Sequence, residues 1–202
     1  MVDSIKYEIL QDDFSISRLS FKILFIGDTG VGKSKLLQKA IKGIYDEFYS
    51  ATEGFESFIF NIKLEGEVIN LELKDTCGKE MYKPSITSFY KYANLIVISY
   101  AIDNKESFNH ISSWLEESKS ECNNKCKFFL IGNKKDLESE REVSKEDGEK
   151  FAKENKFDFF AETSSKNGIN TQYILIQAAK ILYLPFFIKD FEEKQKGDGK
   201  KK

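Results

Sequence analysis

Phe21-Lys22-Ile23-Leu24-Phe25-Ile26 is an apolar run of strand length, and it leads directly into Gly27-Asp28-Thr29-Gly30-Val31-Gly32-Lys33-Ser34. Beyond that turn, Leu36, Leu37, Ala40 and Ile41 recur at helical spacing, and Gly43 closes the segment. A buried strand, a glycine-rich turn and a helix in this order leave few options. The strand needs partners along its edges, and the helix must cover a face of the resulting sheet. The turn fits G-x-x-x-x-G-K-[ST]. Its glycines let backbone N–H groups converge on an anion, and the helix N-terminus adds a partial positive charge. In that chemistry Lys33 reaches the β- and γ-phosphates of a nucleotide, and the Ser34 hydroxyl binds Mg²⁺.

The rest of the chain repeats the alternation. Residues 55–64 and 68–73 flank Glu65-Gly66-Glu67, the pattern of a hairpin. Residues 95–102 and 128–131 are nearly continuous apolar runs, as strands covered on both faces require. A helix is expected over 107–121, with Phe108, Ile111, Trp114 and Leu115 on one stripe, and another over 144–154 with Ser144 as its N-cap. Residues 157–161 are the last expected strand, and 169–184 the last helix, stopped by Pro185. The elements predict an α/β fold: a mostly parallel six-stranded sheet with one antiparallel strand and helices on both faces. Residues 1–19 are expected to be an N-terminal extension, either an arm or an extra edge element. Residues 20–188 make one domain, and 189–202 a polar tail without order.

Composition narrows the function classes. With 202 residues and 41% hydrophobic side chains, the chain can hold one core without disulfides or a structural metal. A net charge of -2 offers no bulk attraction for nucleic acid, so no such partner is expected. No apolar run approaches the ~20 residues of a membrane-spanning helix, and the first residues lack the pattern of a secretory leader. Cys77, Cys122 and Cys126 are an odd, sparse set, expected to be reduced thiols of a cytoplasmic protein. A zinc site on Cys122 and Cys126 would need further ligands, and His110 is the single histidine. His110 itself is expected to be a surface or packing residue of its helix.

A second motif, Asn133-Lys134-Lys135-Asp136, follows the 128–131 strand. A carboxylate there can accept two hydrogen bonds from a guanine edge, one from the ring N–H and one from the exocyclic amine. Adenine cannot supply that pair, and a polar site left unpaired by the wrong base discriminates by ~10⁴ or more. Glu162-Thr163-Ser164-Ser165-Lys166 follows the last expected strand, where backbone N–H groups could meet the guanine oxygen. Taken alone, N-K-x-D is also compatible with a surface turn. Downstream of Lys33 and ahead of E-T-S-S-K, it points to guanine. Only Arg18 and Arg141 are arginines, too few for a kinase that clamps two phosphate chains.

With these motifs in this order, residues 20–185 resemble the Ras superfamily of small GTPases. The Rab branch is the nearest in flavour, through Gly-Asp-Thr-Gly at 27–30, Thr-x-Gly at 52–54 and Ser88-Phe89-Tyr90-Lys91. The resemblance implies a P-loop small G domain that binds GTP or GDP with Mg²⁺ and hydrolyses GTP as a molecular switch. It assigns Thr29, Gly30, Val31, Gly32, Lys33 and Ser34 to the phosphates, with Lys35 near the α-phosphate. Thr52 would close on Mg²⁺ and the γ-phosphate, Tyr45 would lie against guanine, and Gly78 would sense the γ-phosphate through its N–H. Asn133, Lys134 and Asp136 would read the base, with Ser164, Ser165 and Lys166 as the second base loop. Ser34, Thr52 and Asp75 would serve the metal, Asp75 through water. Lys33, Thr52, Gly78 and Lys79 would surround the reacting phosphate.

Two departures stand out. Relatives read W-D-T-A-G-Q-E where this chain reads Lys74-Asp75-Thr76-Cys77-Gly78-Lys79-Glu80. The missing glutamine orients the attacking water, so intrinsic hydrolysis is expected to be slow, on the order of 10- to 100-fold below a glutamine-bearing relative. A partner could instead supply glutamine and arginine in trans. A guanine-nucleotide-bound scaffold with little turnover is the alternative function. Lys74 in place of tryptophan, with Glu53, Phe55 and Ser57 in the neighbouring motif, predicts an altered set of effector, exchange-factor and activating proteins. No cysteine follows Cys126, so no lipid anchor is expected, and at most weak peripheral membrane contact. A monomer is the expected state.

Overall fold

The computed structural model describes residues 2–10, 19–47, 54–76 and 88–198. Strands β1 (Tyr7–Leu10), β2 (Leu19–Ile26), β3 (Phe55–Leu64), β4 (Glu67–Thr76), β5 (Leu95–Ala101), β6 (Lys127–Asn133) and β7 (Phe159–Glu162) form one sheet in the order β1-β3-β4-β2-β5-β6-β7. From β4 to β7 the neighbours are parallel, whereas β3 runs antiparallel to β4 and β1 antiparallel to β3. The α/β class is as predicted. The seventh strand comes from the N-terminal extension.

Alternation along β2 builds both halves of the core. Phe21, Ile23 and Phe25 point to one face, where α1 (Lys33–Lys42) and α5 (Thr171–Asp198) bring Leu36, Leu37, Ile174 and Ala178. Leu24 and Ile26 point to the other, beneath α2 (Lys105–Asn109), α3 (Ile111–Glu121) and α4 (Lys145–Glu154), where Ile111, Trp114 and Leu115 pack. Every residue of β5 is buried, as the apolar run at 95–102 requires. The hairpin joining β3 to β4 turns on Glu65 and Gly66, both at positive φ (50 and 92), the backbone of a tight twisted-strand connection.

The described residues 2–10 of the N-terminal extension join this core. Ile5 is buried in the cluster under α5, and β1 pairs from Tyr7↔Leu64 to Leu10↔Asn61. The Lys6 N–H donates to Glu65 Oε1 at 2.7 Å, and Lys180 Nζ stands 4.9 Å from the Tyr7 ring centre.

Three boundaries differ from the sequence reading. The expected helix over 107–121 is two, α2 and α3, meeting at His110, which keeps right-handed helical backbone (φ -75, ψ -10) so that the stripe continues. The last strand begins at Phe159, because Phe157 packs on the Phe151 ring (6.2 Å) and the Asp158 carboxylate accepts from the Phe128 N–H at 2.9 Å. The last helix passes Pro185 and runs to Asp198. Proline gives up one backbone hydrogen bond there, but Phe186 meets Phe21 edge-on (5.9 Å) and Phe187 lies on Tyr183 (6.1 Å), tying the next turn to the core. The stretch Thr171–Lys189 is long and apolar enough to cross a membrane, yet 56% of it is buried inside the fold. Here it acts as a core helix.

Candidate functional site

Strand order reverses at β2, with β4 on one side and β5 on the other, so a crevice opens beyond its carboxyl end. The glycine-rich loop fills that position. Gly27 begins it at φ +132 with its backbone packed on β5: a Cβ there would stand 2.2 Å from the Ser99 carbonyl oxygen, so only glycine fits. Gly32 is left-handed (φ 97) and precedes α1 without a side-chain cap, so the helix N-terminus, the end that attracts an anion, opens straight from the loop. Lys33 is buried and folds back across the loop, donating to the carbonyl oxygens of Gly27 (2.7 Å) and Asp28 (2.8 Å). Thr29 and Gly30 are exposed at the loop's tip, Val31 is buried, and Ser34 and Lys35 are half-buried in the first turn of α1.

Asp75 reaches the same crevice from β4. It is fully buried, in register with Phe25, the penultimate residue of β2. Thr76 Oγ1 donates to the Phe25 carbonyl at 2.8 Å and pins the end of β4 to β2.

The second motif adjoins the first through Asn133. Its Nδ2 donates to the Val31 carbonyl at 2.9 Å, and its Oδ1 accepts from Thr163 Oγ1 at 2.7 Å. One buried amide therefore fixes the phosphate loop, the end of β6 and the loop after β7 relative to each other. Lys134 adopts a left-handed backbone (φ 64) and its ammonium lies 3.1 Å from Asp103 Oδ2. The Ser164 hydroxyl donates to Asp136 Oδ1 and accepts from the Asn167 N–H. Ser165 and Lys166 follow at the rim, where Lys166 Nζ is 3.8 Å from Glu47. Tyr45 closes this side, its ring 5.2 Å from Lys35 Nζ.

Lys33, Ser34, Asp75, Asn133, Asp136 and Ser164 are thus drawn to the carboxyl ends of β2, β4, β6 and β7. Thr52, Gly78 and Lys79 lie outside the described residues. The residues present suit a guanine nucleotide: a loop with three glycines at positive φ leading into a helix N-terminus, a lysine across that loop and a carboxylate in the base loop. A hydroxyl and a buried carboxylate, both hard oxygen donors, suit Mg²⁺.

Residues 22–183 match the sequence model of the Ras family. The chain belongs to the Ras family. It is a GTP-binding small GTPase of the P-loop kind, a switch that works with regulators and effectors, and members of the family typically bind their nucleotide with Mg²⁺.

Two features of this Ras-family site were not foreseen. Arg141 clamps both base loops, forming paired bonds to the buried Glu162 carboxylate (2.6 and 3.0 Å) and to Glu138 (2.8 and 2.7 Å). These carboxylates push the guanidinium pKa above its ordinary value, while Arg141 draws the Glu138 carboxyl down. The Asp28 carboxylate of the phosphate loop is bound to His110 and Trp114. The available signal was the i, i+4 spacing of His110 and Trp114, which puts them on one helix face.

Proposed function

We propose that this GTPase is a Rab-like switch with slow intrinsic hydrolysis, whose nucleotide is held by Lys33 and Ser34 and selected by Asp136. The observation that carries the reading is the joining of the two motifs through Asn133, which sets base and phosphate recognition at a fixed separation. In this reading the backbone N–H groups from Thr29 to Lys35 cradle the phosphates, and Lys33 exchanges a loop carbonyl for phosphate oxygens. Asp136 accepts from the guanine edge, Lys134 and Tyr45 cover the base, and Ser164, Ser165 and Lys166 offer N–H groups to its oxygen. Ser34, Thr52 and Asp75 would hold the metal. Bound Mg²⁺ would neutralise charge on the β- and γ-phosphates. Thr52 and Gly78 tie the two switch segments to the γ-phosphate, and hydrolysis releases them.

Lys79 sets the rate. An ammonium has three donors and no acceptor, so it cannot take a hydrogen bond from the attacking water and can only offer charge to the γ-phosphate. Single-turnover hydrolysis should quicken about 10-fold or more in Lys79→Gln; equal rates would remove this part of the reading. Lys79 equally favours a second reading, a scaffold that keeps its nucleotide almost permanently, and measured turnover of the bound nucleotide separates the two. An altered partner set is supported beside the switch segments. Lys74 donates to Ser57 Oγ at 2.6 Å and lies 5.8 Å from the Phe89 ring, which meets Phe55 edge-on at 5.0 Å. The free thiols of Cys122 and Cys126 support a cytoplasmic setting.

A further inference from the structure

Asp28 occupies the second position of the phosphate loop, and a carboxylate is an unfavourable neighbour for a polyphosphate because like charges at short range repel. In this fold both of its oxygens are engaged on the helical side. Oδ1 accepts from Trp114 Nε1 at 2.8 Å, and Oδ2 pairs with His110 Nδ1 at 2.7 Å. The carbonyl of the same residue accepts from Lys33 Nζ at 2.8 Å. The side chain is therefore anchored to the α2–α3 junction while the main chain anchors the phosphate-binding lysine. Trp114 is buried, and its indole cannot leave without opening the core on that face. His110 is half-exposed and adds the second donor from the same helix face.

We propose that His110 and Trp114 are positioning residues for phosphate binding: by fixing the Asp28 carboxylate against α3, they hold the phosphate loop in the shape that Lys33 and the helix N–H groups need. The proposal rests on the guanine-nucleotide reading above and deepens it. Neither residue touches the nucleotide in this scheme. Their effect passes through Asp28. Two neighbouring N–H donors on one carboxylate also keep both of its oxygens satisfied on the helical side before a phosphate arrives. Hydrogen bonds to a charged group rank among the stronger ones, and their loss should loosen the phosphate half of the site while leaving base reading intact.

The test uses the full chain loaded with fluorescently labelled GDP in Mg²⁺ and chased with unlabelled GDP. Trp114→Phe removes the N–H and part of the ring volume while keeping an aromatic ring in the core, and His110→Ala alters a half-exposed side chain; the thermal midpoint of each variant shows that it folds. The double variant is expected to release GDP about 10-fold faster or more. Inosine diphosphate, which lacks the exocyclic amine, should be released faster by the same factor, leaving base selectivity unchanged. Using His110→Asn in place of His110→Ala, which keeps a donor near the position of Nδ1, should restore part of the lost retention. On an Asp28→Ala background the same two substitutions should add nothing further. Release at the wild-type rate, an undiminished effect without Asp28, a failure of His110→Asn to restore retention, or a change in base selectivity would each overturn the proposal. If the unaltered protein holds no labelled GDP, the guanine-nucleotide reading itself falls instead.

Discussion

Tyr100 lies within β5, fully buried, and its hydroxyl has no hydrogen-bond partner among the described residues. The glycines Gly132 and Gly148 face that hydroxyl: a Cβ on either would stand 2.8 Å and 2.6 Å from it. An unsatisfied buried hydroxyl contributes nothing for its desolvation, so Tyr100→Phe should melt at the same temperature as the wild type or a few degrees higher. A clear fall would reveal a partner for the phenol. Gly148 makes the complementary case. It sits inside α4, where helix propensity alone says alanine should gain about 1 kcal/mol. Yet the added carbon would also meet Phe160 Cζ at 2.8 Å. Packed rings cannot swing aside, so Gly148→Ala should lower stability in urea unfolding by about 1–3 kcal/mol, the usual cost of overpacking. Stabilisation would mean that the rings repack.

At the level of elements, the N-terminal segment shows where pattern reading stops. Its scattered Ile, Leu and Phe give no period long enough to fix a strand, and only the pairing of β1 with β3 reveals that Ile5 is interior. Ile5→Ala should therefore cost about 2 kcal/mol or more in chemical unfolding, against almost nothing for a loose arm. The phosphate loop and the base motif were legible because their geometry is local: glycines at Gly27, Gly30 and Gly32 provide positive φ, and β2 leads straight into α1. The hairpin was legible for the same reason. Phe157 misled because its apolar character serves a ring stack with Phe151 rather than the sheet. Pro185 misled because tertiary anchoring by Phe186 and Phe187 outweighs one lost backbone bond. The Asp28 clasp and the Arg141 clamp join residues far apart in the chain, which no local pattern encodes.

For the molecule as a whole, burial sets a limit on the alkaline side. Desolvation raises Tyr90 and Tyr100 above their ordinary value of 10.0 and Cys126 above 9.0, the negative charge of Glu117 adding to the effect at Tyr90. The unfolded chain releases these protons at the ordinary values while the folded one keeps them. Their contribution to stability is then complete below about pH 9 and is lost as pH rises toward the folded values. The urea midpoint should be level from about pH 7 to 8.5 and fall above about pH 9–10, with a shallower fall in Tyr100→Phe. A midpoint level up to about pH 11 would mean that the phenols ionise freely in the folded state.

The molecule's arrangement puts two motifs at the carboxyl ends of one sheet, bridged by a single asparagine, and in the proposed reading a guanine nucleotide lies across them. Competition for labelled GDP in the presence of Mg²⁺, with unlabelled GDP against unlabelled ADP, addresses that most directly. GDP should displace the label at concentrations lower than ADP by about 10⁴-fold or more. Displacement by both at similar concentrations, or no binding of the label at all, would contradict it.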